Sequence, residues 1–385
     1  MQKISFFIDS LAGGGAERVM LNLANHYAGQ GYSVDIVLAH KRGEYLNDVD
    51  ERVRLIDLNV SRFWQYFVPL IRYFRQERPD VMLSATTILN LLAILTKKLA
   101  MVDMRLVVSE HIDIQSFAER GALQKPKIVK RLIRFIYPQA DQIVAVSKGA
   151  ANSLASFANL PVEIIKPIYN GVIDQHKLDL AMQPIDHPWF GEAEQRDYPV
   201  ILGVGRLQDQ KNFAMLLRAF AKLRKKMPAR LIILGEGELR HTLQQQAEKL
   251  KIDSDVSLHG FADNPFKYLK NANVFALSSF YEGLPTVLIE ALACGCPVVS
   301  TDCPSGPNEI LENGRYGALV PVDNDEAFAN ALVTVLTQEL GSSEAHQSYK
   351  KGLQDYAKKF GVDQAFAAYS EVLLLDSIKD RNAKQ

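Results

Sequence analysis

Cysteine is scarce in this chain of 385 residues. Only Cys294, Cys296 and Cys303 occur, all within one short stretch. An odd number of cysteines at such close spacing makes a poor disulfide framework and fits a reducing compartment. The pair Cys294 and Cys296 supplies two metal ligands at most, with no second pair nearby. We therefore interpret the cysteines as buried small residues and expect no metal site.

Long apolar runs are also missing. The most apolar stretch, ILNLLAILTKKLAMV (88–102), is interrupted by Lys97 and Lys98 and is shorter than the ~20 residues of a membrane-spanning helix. The first apolar run, Ile4–Ile8, ends at Asp9; it is too short for a signal peptide and fits a buried strand. We therefore expect a cytoplasmic protein, which can still lie on a membrane surface.

Neither sign of charge is in excess, because 44 Lys and Arg residues balance 44 Asp and Glu residues. The overall charge therefore indicates no nucleic-acid partner, and any basic surface has to be local. The chain is 48% apolar and 23% charged, as soluble globular proteins are. Its length exceeds that of one ordinary hydrophobic core and predicts two domains.

Short β-branched runs alternate with longer helical patterns in both halves of the chain. Strands are predicted at 3–9, 32–39, 52–58, 80–85, 105–110 and 142–147, and again at 199–206, 229–235, 255–260, 272–279 and 296–302. Most are continuous apolar runs, which are typical of parallel strands buried on both faces. The pattern predicts an α/β protein with two doubly wound, Rossmann-like domains facing a cleft.

The boundary between these domains is predicted near Gly171, where a polar segment with several prolines begins. This division gives an N-terminal domain of residues 1–171 and a C-terminal domain of residues 172–363. The last amphipathic segment, about 364–385, is predicted to be a helix that packs back onto the first domain.

Glycine and charged residues follow several of the predicted strands, where doubly wound sheets bind ligands. In GGGAERV, Gly14 and Gly15 open a helix whose N–H groups favour an anion, although a simple tight turn is the alternative. The pattern is not the G-x-G-x-x-G of dinucleotide sites. In VSEHID, Glu110 and His111 lie at the mouth of a strand, which makes His111 either a ligand contact or a structural histidine.

The second half carries cations at an equivalent position. In GVGRLQDQKN, Arg206 and Lys211 flank a glycine turn and suit a pyrophosphate, with solvated surface cations as the alternative. LGEGELR brings Glu238, and LHGFADN brings Phe261, into loops where backbone groups could meet a nucleobase.

Two glutamates, Glu282 and Glu290, are separated by seven residues in EGLPTVLIE. We predict a helix with Pro285 in its first turn, Glu282 just before it and Glu290 two turns in. Eight residues at 1.5 Å each give a separation of ~12 Å, which is too long for carboxylates that share a proton. It also exceeds the ~5–9 Å of a glycoside hydrolase pair and suits the two ends of a nucleotide-sugar. Further candidate contacts within the motif are Gly283, Leu284, Thr286 and Val287.

These motifs, in this order, resemble those of the retaining glycosyltransferases of the GT-B fold, specifically glycosyltransferase family 4. The most specific element is EGLPTVLIEALACGCPVV, and the resemblance covers nearly the whole chain. It implies that Arg206 and Lys211 bind the donor diphosphate and contribute to catalysis. Further implied roles are a ribose contact for Glu290, a donor-sugar contact for Glu282, a transferred-sugar contact for His111, a diphosphate contact for Gly14 and Gly15, and a base contact for Glu238 and Phe261.

The resemblance also bears on cofactor and substrate. It implies that no metal or other cofactor is needed, and no D-x-D motif lies near the cleft strands. It is strongest to bacterial members that build lipid-linked or surface oligosaccharides, including lipopolysaccharide. The leading donor is a UDP-sugar, with an N-acetylhexosamine such as GalNAc, and GDP-mannose is the alternative. Outside the transferases, a nucleotide-sugar epimerase and a solute-binding protein are the competing interpretations.

The acceptor side has a candidate surface of its own. KPKIVKRLIRFIYP (125–138) places cations along one predicted helical face, with Ile128, Leu132, Ile133 and Ile136 elsewhere; these cations are Lys127, Lys130, Arg131 and Arg134. RFWQYFVPLIRYFR (62–75) similarly interleaves arginine with aromatic residues. Basic amphipathic helices of this kind lie on anionic membranes or meet a lipid-linked acceptor, although ordinary sheet-covering helices are the alternative. We expect peripheral contact with the cytoplasmic face of the inner membrane.

Overall fold

The buried apolar runs form two separate parallel sheets in the computed structural model, which describes residues 2–12, 14–190, 198–339 and 344–373. The chain divides into two units. Unit 1 comprises Met1–Gly171 with Asp363–Gln385, and unit 2 comprises Val172–Val362. Gly13 and the last part of the predicted C-terminal helix, 374–385, lie outside the described residues.

Unit 1 is built on a parallel sheet that has seven strands within the described residues. They are β1 (Lys3–Ile8), β2 (Ser33–Leu38), β3 (Val53–Asp57), β4 (Val81–Ala85), β5 (Arg105–Glu110), β6 (Gln142–Ala145) and β7 (Ile165–Pro167). Their order is β3-β2-β1-β4-β5-β6-β7. The chain therefore changes direction across the sheet between β1 and β4, and this switch point is where a doubly wound sheet opens a crevice.

Helices cover both faces of this sheet. They are α1 (Gly15–Gly29), α2 (Phe67–Glu77), α3 (Thr87–Ala100), α4 (Ile114–Glu119), α5 (Pro126–Ile136) and α6 (Lys148–Ala158). The crossover through α1 runs in one direction across the sheet, whereas those through α2, α3 and α5 run in the other. Because such crossovers are right-handed, α2, α3 and α5 lie together on the face opposite α1. In agreement, α3 contacts both α2 and α5.

Unit 2 repeats the architecture on a parallel sheet with six strands in the described part of the chain. They are β8 (Val200–Val204), β9 (Arg230–Leu234), β10 (Val256–Gly260), β11 (Val274–Leu277), β12 (Val298–Thr301) and β13 (Ala318–Val320). The order is β10-β9-β8-β11-β12-β13, so the switch point lies between β8 and β11. Two doubly wound, Rossmann-like α/β domains were predicted, and this prediction is confirmed.

The helices of unit 2 pack around a core formed largely by α8 and the strands. They are α7 (Gln175–Leu180), α8 (Phe213–Arg224), α9 (Arg240–Leu250), α10 (Pro265–Asn271), α11 (Thr286–Ala293), α12 (Pro307–Ile310), α13 (Asp325–Glu339) and α14 (Glu344–Ala357). The side chain of Asn212 accepts a hydrogen bond from the N–H of Met215 and so begins α8 directly after the loop that follows β8.

The last described helix, α15 (Val362–Leu373), packs against α1. The ring of Phe366 stacks on His26 at a centroid distance of 3.6 Å. Tyr369 and Leu373 are buried, and the carbonyl of Val372 accepts a 2.7 Å hydrogen bond from Nε of Arg105. The C-terminal segment thus completes the hydrophobic core of unit 1 on the α1 face.

Within the described residues, no helix is long and apolar enough to cross a membrane.

Candidate active site

The loops that follow β8 and β11 meet at the switch point of unit 2. Lys211 lies in the first loop and Glu282 in the second, and Lys211 Nζ donates to Glu282 Oε1 at 2.7 Å. Ser279 Oγ donates to the same carboxylate oxygen at 2.6 Å. Glu282 is only 6% exposed, so its negative charge is held beside a lysine in a largely desolvated environment.

Backbone and side-chain hydrogen bonds hold these two loops together. Ser278 Oγ donates to the carbonyl of Lys211 at 2.7 Å, and the N–H of Phe280 donates to the carbonyl of Gln210 at 2.8 Å. Gln210 Nε2 donates to the carbonyl of Tyr281 at 3.0 Å. The relative position of Lys211 and Glu282 is therefore fixed by the loops themselves. The serines of this loop are functional candidates that the sequence interpretation missed, and their position at the end of a strand was the available signal.

A glycine allows the loops after β8 and β9 to come close together. Gly235 has a φ of +137°, and a Cβ at this position would lie 2.0 Å from the carbonyl oxygen of Gly205. The aliphatic part of the Lys211 side chain packs against Gly205, because its Cε would lie 3.1 Å from a Cβ at that position. The glycines predicted at these strand ends thus let two loops and a lysine stem share one small space.

Helix α11 begins later than predicted. Pro285 is its N-cap and Thr286 its first residue, so Pro285 lies before the first turn rather than in it. Glu290 consequently lies about one turn into α11, not two, and only about 6 Å of helix separates it from Thr286. The helical rise on which the predicted 12 Å separation was based therefore does not apply to residues 282–285, which are not helical. The ring of Pro285 disfavours a helical conformation at Leu284, so α11 does not begin earlier.

The other candidate residues of the motif lie just before α11 or on it. Gly283 and Leu284 are buried, whereas Thr286, Val287 and Glu290 are half-buried on α11. The loop after β12 supports this segment, because the carbonyl of Pro304 accepts a 3.2 Å hydrogen bond from the N–H of Glu282. The segment that carries Glu282 is thus held from two sides.

The remaining candidates of unit 2 are more open. Arg206 and Glu238 are exposed, and the ring of Phe261 is 49% exposed at the end of β10. Glu236 accepts a 2.8 Å hydrogen bond from Nη1 of Arg240, and its Oε1 would lie 2.9 Å from a Cβ at Gly260. Glu236 is therefore the carboxylate of this loop that packs beside Gly260, the residue before Phe261.

In unit 1, Gly14 and Gly15 begin α1 after the loop that follows β1. Gly14 is the N-cap with an extended backbone, and as a glycine it has no side chain to cap the helix. A Cβ at Gly15 would meet no atom within 4 Å, so space alone does not require glycine there. The N–H groups of the first turn of α1 thus lie at the switch point of this sheet, where an anion is favoured.

His111 follows β5 and is held by Ser109, whose Oγ lies 2.9 Å from His111 Nε2. The other ring nitrogen, Nδ1, is buried and has no hydrogen-bond partner among the described residues. Burial lowers the pKa of His111 to about 4. The imidazole is therefore neutral near neutral pH, where it offers a hydrogen bond rather than a charge.

Glu110 is the last residue of β5, but its side chain faces the interior and is 1% exposed. Its carboxylate accepts hydrogen bonds from Tyr137 Oη, from Thr87 Oγ1 at 3.0 Å and from Asn90 Nδ2 at 3.2 Å. Burial raises the pKa of Glu110 despite these donors. The carboxylate ties the first turn of α3 to the end of β5, immediately before His111.

The four cations predicted on one helical face lie on α5. Lys127, Arg131 and Arg134 are exposed and Lys130 is half-buried. Of the neighbouring apolar residues, Ile133 and Ile136 are buried, whereas Ile128 and Leu132 face solvent. The helix exposes more than half of its circumference, because only the side with Val129, Ile133 and Ile136 is buried.

Two family models match consecutive parts of the chain. Residues 13–176 match the model described as Glycosyltransferase Family 4, and residues 189–359 match the model described as Glycosyl transferases group 1. A relative from Campylobacter jejuni, the N-acetylgalactosamine-N,N'-diacetylbacillosaminyl-diphospho-undecaprenol 4-alpha-N-acetylgalactosaminyltransferase, is 31% identical over 94% of this chain and 96% of its own length. The chain belongs to glycosyltransferase family 4.

This family-4 glycosyltransferase has other full-length relatives. The amylovoran biosynthesis glycosyltransferase AmsD of Erwinia amylovora is 28% identical over 97% of this chain and 100% of its own. The crystal structure of Anabaena Alr3699/HepE in complex with UDP and glucose is 19% identical and has a TM-score of 0.76, covering 97% of this chain and 99% of that one. This structural similarity confirms the GT-B fold.

Proposed function

We propose that this glycosyltransferase moves a sugar from a UDP-sugar to a lipid-linked or surface oligosaccharide, with retention of anomeric configuration. The leading donor sugar is an N-acetylhexosamine such as GalNAc. The proposed acceptor and donor sugar follow the name of the Campylobacter jejuni relative, which acts on a diphospho-undecaprenol-linked sugar. The UDP in the Anabaena structure supports the choice of uridine nucleotide.

The observation that carries the proposal is the meeting of Lys211 and Glu282 at the switch point of unit 2, directly before α11. A donor diphosphate placed here would meet the Lys211 ammonium, the exposed Arg206 guanidinium and the N-terminal N–H groups of α11. Positive charge and helix N–H groups stabilise the charge that grows on a leaving phosphate. Glu282 accepts hydrogen bonds in this site and would orient the donor sugar through its hydroxyls.

In the proposed reaction the bond between the anomeric carbon and the phosphate oxygen breaks, and the acceptor oxygen bonds to the same face of that carbon. The acceptor proton passes to the departing phosphate. Arg206 and Lys211 stabilise that phosphate, and His111 remains a predicted contact of the transferred sugar. Because same-face attack forms no covalent bond to the enzyme, this proposal gives Glu282 no nucleophilic role; its Oε1 accepts hydrogen bonds from Lys211 and Ser279.

We further propose that the reaction needs no metal. The compensation of diphosphate charge is assigned to Arg206, Lys211 and α11, so activity should persist in EDTA and should not rise with added Mg²⁺ or Mn²⁺. A transferase that loses its activity in EDTA and regains it with a divalent cation would contradict this assignment.

The first test is a thermal-shift panel with UDP, GDP, UDP-GlcNAc, UDP-GalNAc, GDP-mannose, NAD and free sugars. We expect UDP and the UDP-N-acetylhexosamines to raise the melting temperature of the wild type. At a ligand concentration of 100 Kd the stabilisation is about 2.7 kcal/mol. Arg206→Ala should lose most of this shift, whereas Arg315→Ala, an exposed arginine on another loop, should retain it.

Each outcome of the panel decides a part of the proposal. A shift chiefly with GDP-mannose would replace the donor and keep the transfer chemistry. A shift with NAD, or with free sugars alone, would contradict a transferase. The product configuration, read by NMR of the anomeric proton, tests retention separately.

A further inference from the structure

Large apolar side chains that face solvent concentrate on one layer of unit 1. We call this layer the α2–α3–α5 face, and its exposed apolar residues are Trp64, Val68, Ile88, Leu99, Met101, Ile128, Leu132 and Phe135. Val162 and Ile164 are the exposed large apolar residues outside it in the described part of unit 1. Soluble proteins rarely leave such a collection on one side without a function.

Helix α5 carries an apolar strip and a basic strip side by side. At 3.6 residues per turn, Ile128, Leu132 and Phe135 fall within an arc of about 60°, and the four cations fall within a neighbouring arc of about 100°. Phe135 is 64% exposed and Ile128 is 55% exposed. The third side of the helix, with Val129, Ile133 and Ile136, is buried. The helix therefore presents both strips to solvent at once.

The cations of α5 are not neutralised by the residues that the structure describes. The segment 125–138 contains no Asp or Glu. Lys127, Lys130, Arg131 and Arg134 form no salt bridge with any residue that the structure describes. Lys97 at the end of α3 differs, because its Nζ pairs with Asp141 at 2.6 Å. The α5 strip is thus a local positive surface on a chain without net charge.

A second basic and apolar element lies on the same face around α2. Trp64 is 64% exposed just before α2, and the guanidinium of Arg62 lies 5.6 Å from its ring centroid. A shallow groove on α2 is lined by Val68, Ile71, Arg72, Arg75 and Gln76. Like α5, the segment 62–75 contains no acidic residue.

We propose that the α2–α3–α5 face docks on an anionic lipid bilayer, with Trp64, Ile128, Leu132 and Phe135 in the interface and the cations against lipid headgroups. Apolar insertion and headgroup attraction act together in such surfaces. A second copy of this chain is a poor occupant, because two such faces would bring their unneutralised cations together. The inference rests on the proposed function in so far as a lipid-linked acceptor lies in a membrane.

The helices run antiparallel to the strands, so the first turns of α2, α3 and α5 lie at the carboxyl edge of the sheet. Trp64, Ile88 and Ile128 therefore lie near the edge that carries His111. Docking through this face would hold the carboxyl edge of unit 1 close to the bilayer. It would thus present the predicted sugar-contact residue to an acceptor that is anchored in the lipid.

The test is co-sedimentation of the full chain with vesicles of phosphatidylcholine alone or mixed with phosphatidylglycerol. We expect binding to the mixed vesicles only, and weaker binding as salt rises. Ile128→Ser/Phe135→Ser and Arg131→Glu/Arg134→Glu should each reduce vesicle affinity by about tenfold or more. Matched controls are Val162→Ser/Ile164→Ser for the apolar pair and Lys225→Glu/Lys251→Glu for the charges, and both should bind as the wild type does.

The UDP thermal shift is measured on the same samples, so that a failure of the proposed docking surface can be told apart from a failure of the proposed transferase function. Protein that keeps its UDP shift but ignores anionic vesicles at low salt would overturn the docking surface and leave the transferase standing. Vesicle binding without any nucleotide shift would do the reverse. Salt-insensitive binding to phosphatidylcholine alone, or self-association abolished by Phe135→Ser, would also overturn an anionic bilayer as the occupant.

Discussion

Glu282 brings a carboxylate into a site where it has a lysine and a serine as neighbours. Glu282→Gln keeps the shape of the side chain but removes its charge and leaves Lys211 without its partner. We expect kcat to fall by about 10²–10³-fold, as when one fixed polar group is lost from a transition-state site. The affinity for UDP should hold or improve, because Lys211 is then freer to meet the diphosphate. Steady-state kinetics and calorimetric UDP binding measure the two effects.

The control for this substitution is Glu248→Gln, which removes an exposed carboxylate on α9. It should leave kcat and UDP affinity unchanged. A Glu282→Gln enzyme with near-normal kcat would refute the assignment of Glu282 to turnover.

His111 makes the stability of unit 1 depend on pH. Its pKa is about 4 in the folded protein, because of burial, and 6.5 is the ordinary value. The unfolded chain therefore takes up the proton first as the pH falls. The stability that His111 contributes is fully present above pH 6.5 and is lost between pH 6.5 and 4.

Replacing His111 removes this proton uptake. The free energy of unfolding of His111→Gln should therefore fall less than that of the wild type between pH 7 and 4.5. Hydrogen exchange of unit 1 peptides across a urea series measures this slope. His241→Gln, an exposed histidine on α9, should keep the wild-type slope. Parallel pH profiles for His111→Gln and wild type would show that the His111 imidazole does not set the pH dependence of the free energy of unfolding.

At the scale of elements, the close approach of two loops depends on Gly235. Gly235→Ala adds a Cβ that would lie 2.0 Å from the Gly205 carbonyl oxygen, at a φ that disfavours alanine. The loop with Arg206 has to move, and a displacement of about 1 Å can cost about 10²-fold in rate. We expect kcat/KM to fall by that order, with a smaller UDP thermal shift.

Gly352→Ala is the matched control, because it lies in α14 and its Cβ would meet no atom within 4 Å. It should leave kcat/KM unchanged and stabilise the helix by about 0.5–1 kcal/mol. Equal losses in both variants would mean that the tight contact at Gly235 is not what positions Arg206.

The elements were largely predictable because most strands are continuous apolar runs. Those missed, β7 and β13, contain only three residues each, and both pair at the edge of a sheet. Their strand character depends on that pairing, which no local pattern reports. The start of α11 was misplaced because Pro285 was assigned to the first helical turn, whereas it is the N-cap and disfavours a helical residue before it.

The candidate site residues could be named from the sequence, but their contacts could not. Lys211 and Glu282 lie 71 residues apart in the chain, and only the order of β8 and β11 in the sheet brings them together. The direction of the Glu110 side chain was not predictable either. The pattern placed this carboxylate at the exposed end of the strand, whereas it points into a buried hydrogen-bond network. Periodicity grouped the cations of α5 correctly, yet which apolar residues face solvent depends on how the helix lies on the sheet.

At the scale of the whole molecule, the chain returns to unit 1 through α15, so the core of that unit depends on the two ends of the sequence. Tyr369 is 1% exposed there, and Tyr369→Ala should destabilise unit 1 by about 3–5 kcal/mol, the cost of truncating a large buried side chain. Unit 2, which has its own core, should keep its stability and its UDP response. Hydrogen exchange resolved by peptide measures both units in one sample, with Tyr349→Ala on α14 as an exposed counterpart. If Tyr369→Ala raised hydrogen exchange equally in both units, the two units would unfold together as one cooperative unit, which would contradict this prediction.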